Sequence, residues 1–571
     1  MFPTSLALAV SLAATVLRLP APPAVVFEHD VMVPMRDGVK LAFDIWRPAS
    51  GRVPALVTRT PYGTDSPGME HANDAMVQMG YAIVTVDCRG KFGSEGEWYP
   101  IRNEGKDGFD SIEWVARQPW CDGNVGMMGG SYDGWTQMLA AAESPPHLKA
   151  LLPQATPPDP IRNFPWQNGA FLAASAYWAR MTFGKGVDRL EDLTGKWSSI
   201  YAHRPLIEMD QAAGAEIPYF DDWVRHPLDD DYWRSMSYQT RFADIDVPAL
   251  HVTGWFDDDQ VGALSNFVGL RRAARSERAR RGQRLIVGPW GHVTNGVTKL
   301  GELDFGEDAR IDLSTLTLRW FDHWLGGADN GIEREAPVRV FVIGPNVWRD
   351  EDDWPIPRTR WTPYFLAGGG RLAAEAPADA PADEFTYDPH DPTPFLTGER
   401  SAQVGGPDDY STIHRTRKDL VVYDTAPLDE DTEVTGPIAV VLHAATSARD
   451  TDWTAMLCDV RPDGKVVRLS DGVIRAMLSK SLETPKPVVP DVPREYRIDC
   501  WATGYVFTKG HRIRVAIASA AFPKFHPNAN TGNRDPAATE CVVAHQKIFH
   551  DAAHPSRLIL PVIPPRAPAG K

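Results

Sequence analysis

Asn124-Val-Gly-Met-Met-Gly-Gly-Ser131-Tyr-Asp-Gly-Trp-Thr-Gln-Met-Leu-Ala-Ala-Ala142 is a stretch that places a serine between an apolar run and a helix-forming segment. Val125 to Met128 is short and apolar, which predicts a buried strand, while Tyr132 to Ala142 has apolar residues at helical spacing. Glycines two residues before and three residues after the serine leave room for a sharp turn. The pattern predicts a nucleophile elbow, which holds the Ser131 hydroxyl beside the N–H groups of a new helix.

The composition is that of an ordinary globular protein, with 43% hydrophobic and 23% charged residues. At 571 residues the chain is too long for one core, so roughly three or four domains are expected. A net charge of −16 with no basic block argues against a nucleic-acid partner. The cysteines are far apart and never spaced as Cys-x-x-Cys, so we expect neither a zinc site nor a disulfide framework. A single disulfide bond between two of Cys458, Cys500 and Cys541 is the one alternative that the spacing leaves.

Residues 1–24 form a separate segment. Leu6 to Leu17 is apolar over 12 residues, which is too short to cross a bilayer, so no membrane span is predicted. The run fits the core of a signal peptide, but no basic residue precedes it, and the prolines of Ala21-Pro-Pro-Ala24 make a poor cleavage site. The segment is therefore either a signal peptide, which would make the protein secreted or periplasmic, or a disordered extension. The cytoplasm is the favoured location.

Residues 25–156 alternate between strand and helix patterns, which predicts a mostly parallel, doubly wound sheet with helices on both faces. A hairpin comes first, with the turn Arg36-Asp-Gly38 between its strands. Further strands are predicted at 54–60, 80–87, 125–128 and 148–154, and helical segments at 75–79, 107–118 and 132–142.

The pattern changes twice after residue 156. Residues 157–242 lack strong strand runs and spread tryptophans and charges over helical segments, so we predict a helical insertion that caps a site. The sheet resumes in residues 243–349 and closes with Pro337 to Ile343. From residue 350 to 571, short alternating runs separated by turn clusters predict a jelly-roll β-sandwich.

Three chemically active residues lie just past the carboxyl ends of predicted strands: Ser131, Asp257 and His292. In an open parallel sheet, ligands bind at that edge. Their chain order, Ser, Asp, His, is one that a known hydrolase architecture uses for its catalytic triad. Gly-Gly-Ser also occurs in flexible loops, Asp257 could cap a helix, and His292 could bond the backbone. Three placements that agree favour the triad over these separate explanations.

A serine needs a base to act as a nucleophile, and the base needs an orienting carboxylate. We assign His292 as the base and Asp257 as the carboxylate. The oxyanion would receive a hydrogen bond from the backbone N–H of Tyr132. Tyr62 lies in a turn after an early strand and could supply a phenol O–H as the second donor, although a core tyrosine would look the same.

Several motifs together resemble the cocaine-esterase / X-Pro dipeptidyl-peptidase family of serine hydrolases, over about residues 28–561. They are Thr60-Pro-Tyr-Gly63, Asp87-Cys-Arg-Gly-Lys-Phe-Gly-Ser-Glu-Gly96, Trp120 to Gly134, Gly254-Trp-Phe-Asp257, Gly288-Pro-Trp-Gly-His292, Asp450-Thr-Asp-Trp-Thr-Ala455, Gly510-His-Arg-Ile-Arg-Val515 and Phe522-Pro-Lys-Phe525. The resemblance implies an α/β-hydrolase domain, an inserted helical cap and a C-terminal jelly roll. It also implies that Ser131, Asp257 and His292 are the triad and that Tyr62 is the oxyanion tyrosine.

The resemblance does not determine the substrate, because the family includes esterases, X-Pro dipeptidyl peptidases, amino-acid ester hydrolases and acylases. Trp166, Phe171, Trp255 and Phe256 are candidate walls of an acyl pocket. Asp259 is a candidate receptor for a substrate ammonium, since acids after the triad aspartate have that role in amino-ester hydrolases. The cap stretch 163–171 lacks the further aspartate expected there. The favoured alternative is that Asp258 and Asp259 are solvated or cap the next helix.

The leading hypothesis is a serine hydrolase that forms an acyl-enzyme from a small ester or amide. The second is an amine-recognising hydrolase, either an amino-ester hydrolase or a dipeptidyl peptidase or acylase. The third is a binding protein in which the jelly roll carries the function and the hydrolase half is inert. No metal, nucleotide or other cofactor is indicated, and a homo-oligomer is compatible with the sequence.

Overall fold

The computed structural model describes residues 24–64, 69–376, 380–397 and 405–564, so the expected signal peptide or extension lies almost wholly outside the described residues. Its first part follows the predicted alternation of strands and helices. The elements are β1 (Val25–Pro34), β2 (Lys40–Pro48), β3 (Val53–Thr60), α1 (Met69–Gln78), β4 (Ala82–Asp87), α2 (Glu104–Ala116), β5 (Cys121–Gly130), α3 (Tyr132–Ala142) and β6 (Leu148–Gln154).

The insertion after β6 is mainly helical, as predicted, and it also contains a two-stranded hairpin. Its helices are short, and several begin without a side-chain cap, so packing rather than local sequence holds them. The elements are β7 (Trp166–Gln167), β8 (Ala170–Phe171), α4 (Ala174–Thr182), α5 (Trp197–Tyr201), α6 (Met209–Ala212), α7 (Pro218–Arg225) and α8 (Asp231–Arg234).

The sheet then resumes and ends one strand later than predicted. Its elements are β9 (Leu250–Gly254), α9 (Gln260–Ala273), α10 (Glu277–Arg281), β10 (Arg284–Gly288), β11 (Lys299–Leu300), β12 (Leu303–Asp304), α11 (Leu313–Trp324), β13 (Val338–Val342) and β14 (Val347–Glu351). β14 pairs antiparallel with β13, and its charged residues concealed it in the sequence. The boundary predicted at residue 350 lies inside this strand.

Ten of these fourteen strands form one sheet, in the order β1-β2-β4-β3-β5-β6-β9-β10-β13-β14. In this spatial order, the seven strands from β4 across to β13 run parallel to one another. Antiparallel strands flank them on both sides, β2 beside β4 and β14 beside β13. Alternate residues enter different cores, because successive side chains of a strand point to opposite faces. Val57 belongs to the core beneath α2, α3 and the cap, whereas Leu56 packs toward α11. The carboxyl ends of the parallel strands thus meet at one edge.

The remainder of the described chain is all-β except for one short α-helix and one turn of 3-10 helix (Ala476–Leu478), as predicted for a jelly roll. Eleven strands form one hydrogen-bonded sheet that encloses its own core. The elements are β15 (Arg360–Ala367), β16 (Arg371–Ala373), β17 (Asp383–Tyr387), α12 (Ser411–Thr416), β18 (Leu420–Asp424), β19 (Thr432–Thr446), β20 (Asp452–Val460), β21 (Val466–Arg475), β22 (Arg494–Phe507), β23 (Arg512–Ala518), β24 (Ala544–Phe549) and β25 (Arg557–Val562).

Two further expectations concern the whole molecule. The cysteines are free, including Cys458, Cys500 and Cys541, so the bridge left open among these three does not form in this structure. None of the helices in the described ranges is both long and apolar enough to cross a membrane.

Candidate active site

Ser131 lies at a sharp turn between β5 and α3. Its backbone has φ 59° and ψ −125°, a conformation that side chains rarely adopt and that costs of the order of 1–3 kcal/mol. The turn is held by hydrogen bonds, since the Ser131 N–H donates to the Gln154 carbonyl at 2.9 Å. The following glycine is required by close packing, because a Cβ on Gly134 would lie 2.0 Å from Oγ1 of Thr156. The elbow predicted from the sequence is therefore present.

His292 and Asp257 come together at the same edge of the sheet. Nδ1 of His292 lies 2.9 Å from Oδ1 of Asp257. The carboxylate is buried, and its Oδ2 accepts a hydrogen bond from Oγ1 of Thr253 at 2.6 Å. Its Oδ1 also accepts the backbone N–H of Asp259 at 3.0 Å. With Nδ1 held by the carboxylate, Nε2 of His292 is left for a reacting group, and 30% of the imidazole side chain stays exposed.

Two donors stand beside the serine. The Tyr62 hydroxyl accepts a hydrogen bond from Nε1 of Trp178 at 3.1 Å, and Tyr62 lines the same cavity as Ser131. Burial raises the pKa of Tyr62 far above its usual range, so the phenol keeps its proton and can donate it in a hydrogen bond. The backbone N–H of Tyr132 opens α3 and has no acceptor within the helix. The Tyr132 phenol is occupied elsewhere, because it donates to Oε1 of Glu104 at 3.0 Å.

A cavity of about 350 Å³ opens over these groups. Most of its walls are aromatic or apolar side chains, and its polar groups are concentrated at one end. The lining residues are Tyr62, Ser131, Tyr132, Trp135, Pro157, Phe164, Ala174, Tyr177, Trp178, Met181, Asp258, Asp259 and His292. A cavity with such walls has room for an apolar group next to the serine.

The prediction that Trp166, Phe171, Trp255 and Phe256 form the walls of an acyl pocket was wrong, because these side chains pack elsewhere. Trp166 and Phe171 pack on each other and face a separate cavity of about 110 Å³ between the cap and the β domain. Trp255 donates its Nε1 hydrogen to the Phe341 carbonyl at 2.7 Å, and Phe256 stacks on Phe305. These aromatics are core residues.

The aromatic walls that the structure does show were missed, namely Trp135, Phe164, Tyr177 and Trp178. Tyr177 and Trp178 lie in the segment predicted as a helical insertion, and their spacing in the sequence did not indicate which face of a helix they occupy. Trp178 contacts the elbow directly, since its ring stacks on that of Tyr132. Its indole N–H also holds Tyr62, so it connects the cap to the catalytic edge.

The reading of Asp258 and Asp259 as solvated or helix-capping residues was wrong. Both side chains are buried, at 7% and 4% exposure, and both line the cavity. Asp259 precedes α9, yet its side chain accepts no helix N–H and instead accepts a hydrogen bond from Nδ2 of Asn163 at 2.7 Å. The cap thus supplies an amide at the position where a further aspartate was expected. Packing of the cap over the loop buries both acids.

Burial and mutual repulsion give these ionisable groups unusual pKa values. Burial raises the pKa of Asp257, and burial together with Asp258 raises that of Asp259 well above its usual range. Burial opposes the ionised form of Asp258 as well, but His292 outweighs it and lowers the pKa. The pKa of His292 is raised well above 6.5, because the Asp258 and Asp257 carboxylates outweigh the effect of burial.

Among the residues that the structure describes, two groups of side chains place several oxygen and nitrogen atoms within 4.8 Å of one another, a spacing that one cation could bridge. The first is the cluster of Asp257, Asp258, Asp259 and His292, in which Nδ1 of the histidine already bonds a carboxylate. The second surrounds Asp44, whose oxygens accept hydrogen bonds from Oγ1 of Thr64 and the N–H of Asp30. We assign no metal to either group.

Comparison with known proteins covers nearly the whole chain. Residues 37–294 match the family model "X-Pro dipeptidyl-peptidase (S15 family)". Residues 330–559 match the model "X-Pro dipeptidyl-peptidase C-terminal non-catalytic domain". The first match covers most of the sheet with its cap, and the second covers the last two strands of the sheet and nearly all of the β domain.

Individual relatives agree with these matches. The chain is 36% identical to a cocaine esterase of Rhodococcus sp. (strain MB1 Bresler), over 94% of this chain and 98% of the relative. It is 28% identical to a putative serine esterase of Mycobacterium bovis, over 93% and 95%. Among solved structures, an α-amino acid ester hydrolase superposes with a TM-score of 0.83 at 26% identity, covering 97% of this chain and all of the other.

Proposed function

Because the chain belongs to the X-Pro dipeptidyl-peptidase (S15) family and is a serine hydrolase, we propose that Ser131 is its nucleophile, His292 its general base and Asp257 the orienting carboxylate. One observation carries this proposal. The strained elbow serine lines the same cavity as a histidine whose Nδ1 is held 2.9 Å from a buried carboxylate. Tyr62 and the N–H of Tyr132 complete the site as oxyanion donors.

The reaction follows from the positions of these groups. Oγ of Ser131 attacks the substrate carbonyl carbon while Nε2 of His292 takes its proton. The oxyanion that forms accepts hydrogen bonds from the Tyr62 hydroxyl and the Tyr132 N–H. The intermediate collapses, His292 gives its proton to the leaving alcohol, and an acyl-serine ester remains. Water repeats the sequence, which releases the acid and restores the serine.

We propose that the substrate is a carboxylic ester whose acyl group is aromatic or otherwise bulky and apolar. The cavity volume of about 350 Å³ and its aromatic walls support this assignment. The two relatives with esterase names, at 36% and 28% identity, support an ester over an amide. Trp178 and Phe164 would contact the acyl group, since both line the cavity and their rings pack against each other.

A second candidate is an amine-recognising hydrolase, which would accept amino-acid esters or peptides with a free amino end. Asp258 and Asp259 favour it, because both are buried in the cavity wall where an ammonium could approach them. The structural likeness to an α-amino acid ester hydrolase agrees with this reading. The two candidates differ in whether the substrate must carry a positive charge.

A paired rate measurement separates the two candidates. The hydrolysis of phenylglycine methyl ester with a free amine is compared with that of its N-acetyl form, with Ser131→Ala as the blank. Equal rates, or faster hydrolysis of the blocked ester, would support a general esterase. A large preference for the free amine would support the second candidate, and Asp259→Asn should then remove the preference.

The catalytic assignment has a test of its own. A serine-directed fluorophosphonate should label the parent protein at Ser131 and should leave Ser131→Ala unlabelled. If the Ser131→Ala protein hydrolysed either ester at the parent rate, the triad would be wrong. A parent protein that resists the reagent and hydrolyses neither ester would instead point to the binding role of the β domain.

A further inference from the structure

Nδ1 of His292 faces two carboxylates instead of one. It lies 2.9 Å from Oδ1 of Asp257 and 3.0 Å from Oδ1 of Asp258. An imidazole nitrogen carries a single hydrogen, so it cannot make two full hydrogen bonds at once. Asp259 stands further away, with its Oδ2 at 3.8 Å from the same nitrogen.

The two carboxylates differ in how well they are held. Both oxygens of Asp257 accept other hydrogen bonds, from Oγ1 of Thr253 and from the N–H of Asp259. Oδ1 of Asp258 is buried and has no partner with hydrogen-bond geometry within the described ranges, although it lies so close to Nδ1. A buried carboxylate oxygen in that state requires an explanation, because leaving it unbonded is costly. Its nearest cationic group is the imidazole itself whenever that ring is protonated.

We propose that Asp258 is a positioning residue that competes with Asp257 for the Nδ1 proton of His292 and stabilises the protonated imidazole of the resting enzyme. The proposal rests on the triad assigned above. It makes Asp257 the carboxylate that fixes the ring and Asp258 the one that adjusts how readily the ring accepts a proton from Ser131.

The other charged and titratable groups around the ring do not cancel this effect. Asp259 is on the same loop, but burial and the neighbouring Asp258 raise its pKa and so disfavour its charged form. Tyr62, just after β3, keeps its proton, since burial raises its pKa. The β domain contributes Lys524, which lines a small cavity with Asp258 and is paired with Asp471 at 2.7 Å. The attraction between Lys524 and Asp258 favours the charged form of each and so does not oppose the second carboxylate.

The β domain reaches Asp258 through a small polar cavity of about 10 Å³, large enough for about one water molecule. It is lined by Asp258 on one side and by Arg468, Asp471 and Lys524 on the other. The buried hydroxyl of Ser470 lines the same space and has no hydrogen-bond partner in the described chain. Charged groups of the β domain therefore act on the catalytic loop, the segment between β9 and α9 that carries Asp257, Asp258 and Asp259.

The consequence for activity has a definite sign. A histidine that already carries a proton cannot take one from serine, so activity falls as the pH drops through the pKa of His292. Because two carboxylates raise that pKa, the acid limb of kcat/KM should lie above the value of about 6.5 for an ordinary histidine. Removing the charge of Asp258 should move the limb to lower pH.

The test is the pH dependence of kcat/KM between about pH 5.5 and 9.5, measured with phenyl acetate, an ester that does not ionise. Asp258→Asn is expected to shift the acid limb down by about one pH unit or more, while the plateau at high pH changes by less than about threefold. Asp122→Asn is the control, since this exposed aspartate lies at the start of β5, at the other end of that strand from the serine. Its limb should match the parent.

Two outcomes would overturn the proposal. One is an acid limb of Asp258→Asn that coincides with that of the parent. The other is a loss of about 10⁴-fold at every pH, which would make Asp258 the orienting carboxylate of the triad. Thermal unfolding confirms that each variant is folded, and Asp258→Gly is the second variant if the amide does not fold. Fluorophosphonate labelling of Ser131 keeps the two proposals apart, since a labelled protein with an unmoved limb contradicts this one alone.

Discussion

Two buried charge clusters lie on either side of the boundary between the hydrolase sheet and the β domain. The cavity cluster consists of Asp257, Asp258, Asp259 and His292. The β-domain cluster consists of Arg468, Asp471 and Lys524. The cavity cluster gathers three acids around one base, whereas the β-domain cluster places one acid between two cations.

The clusters differ in how completely their hydrogen bonds are made. Asp471 accepts from Nε of Arg468 at 2.9 Å and from Nζ of Lys524 at 2.7 Å. Although burial opposes it, these cations lower the pKa of Asp471 to about 2. The cavity cluster leaves an oxygen of Asp258 unbonded and raises the pKa of two of its acids. The paired charges of the β-domain cluster keep one protonation state and hold the fold. The incompletely paired acids of the cavity cluster have shifted pKa values, which is typical of groups that exchange protons in an active site.

The largest expected effect tests the cavity cluster. Asp257→Asn should lower kcat by about 10⁴-fold, because the amide can donate to Nδ1 and so favour the wrong imidazole tautomer. Some stability should also be lost, because Asp257 is buried and its two oxygens accept hydrogen bonds from Thr253 and the N–H of Asp259, whereas an amide has only one accepting oxygen. Steady-state kinetics and thermal unfolding of the same preparation measure both quantities. A loss of less than tenfold would show that the ring is oriented by another group.

The second expected effect tests the β-domain cluster. Lys524→Met should destabilise the protein by about 3–5 kcal/mol, because it leaves a buried carboxylate with one partner fewer. The change in the free energy of unfolding is measured by urea titration followed through tryptophan fluorescence.

Lys547→Met is the matched control for this variant. Lys547 lies in the same domain and faces Glu384 at 3.6 Å, but its side chain is 38% exposed. An exposed pair contributes about 1 kcal/mol or less. If both variants lost the same free energy, the β-domain cluster would not be the structural element described here.

The smallest of the three effects tests whether Tyr62 differs in function from Tyr177, which lines the same cavity. Tyr62→Phe should lower kcat by about a hundredfold, because one oxyanion donor is lost while the ring still packs. Tyr177→Phe is the control, since Tyr177 lines the same cavity and is not placed among the oxyanion donors. Equal activity in the two variants would remove Tyr62 from the oxyanion site. Pre-steady-state release of the alcohol shows whether acylation is the affected step.

Local sequence was sufficient for most elements of the sheet and for the positions of the reactive groups. Strand and helix patterns predicted β3 to β6, α3 and the resumption of the sheet at β9, because each depends on the spacing of apolar residues within one segment. The same patterns placed Ser131, Asp257 and His292 after strand ends, and parallel strands bring such ends to one edge. β14 was missed because its charged residues do not alternate with apolar ones.

Local sequence patterns could not predict which residues line the cavity. Trp166, Phe171, Trp255 and Phe256 were chosen for their aromatic character and their proximity in sequence to the cap or triad, yet none of them lines the cavity. Trp166 and Phe171 face a separate cavity, and Trp255 and Phe256 pack in the core shared with the β domain. Many of the walls are cap residues that fold back over the elbow. Which face of a cap helix meets the sheet depends on contacts between segments far apart in the chain.

The sequence by itself determined the architecture and the edge of the sheet where chemistry is placed, since both follow from short-range periodicity and from strand direction. The tertiary structure alone decided the environment of that edge. It buried Asp258 and Asp259, set Trp178 against Tyr62 and brought Lys524 behind the catalytic loop. Burial and charge pairing are sums over neighbours in space, so no local pattern contains them.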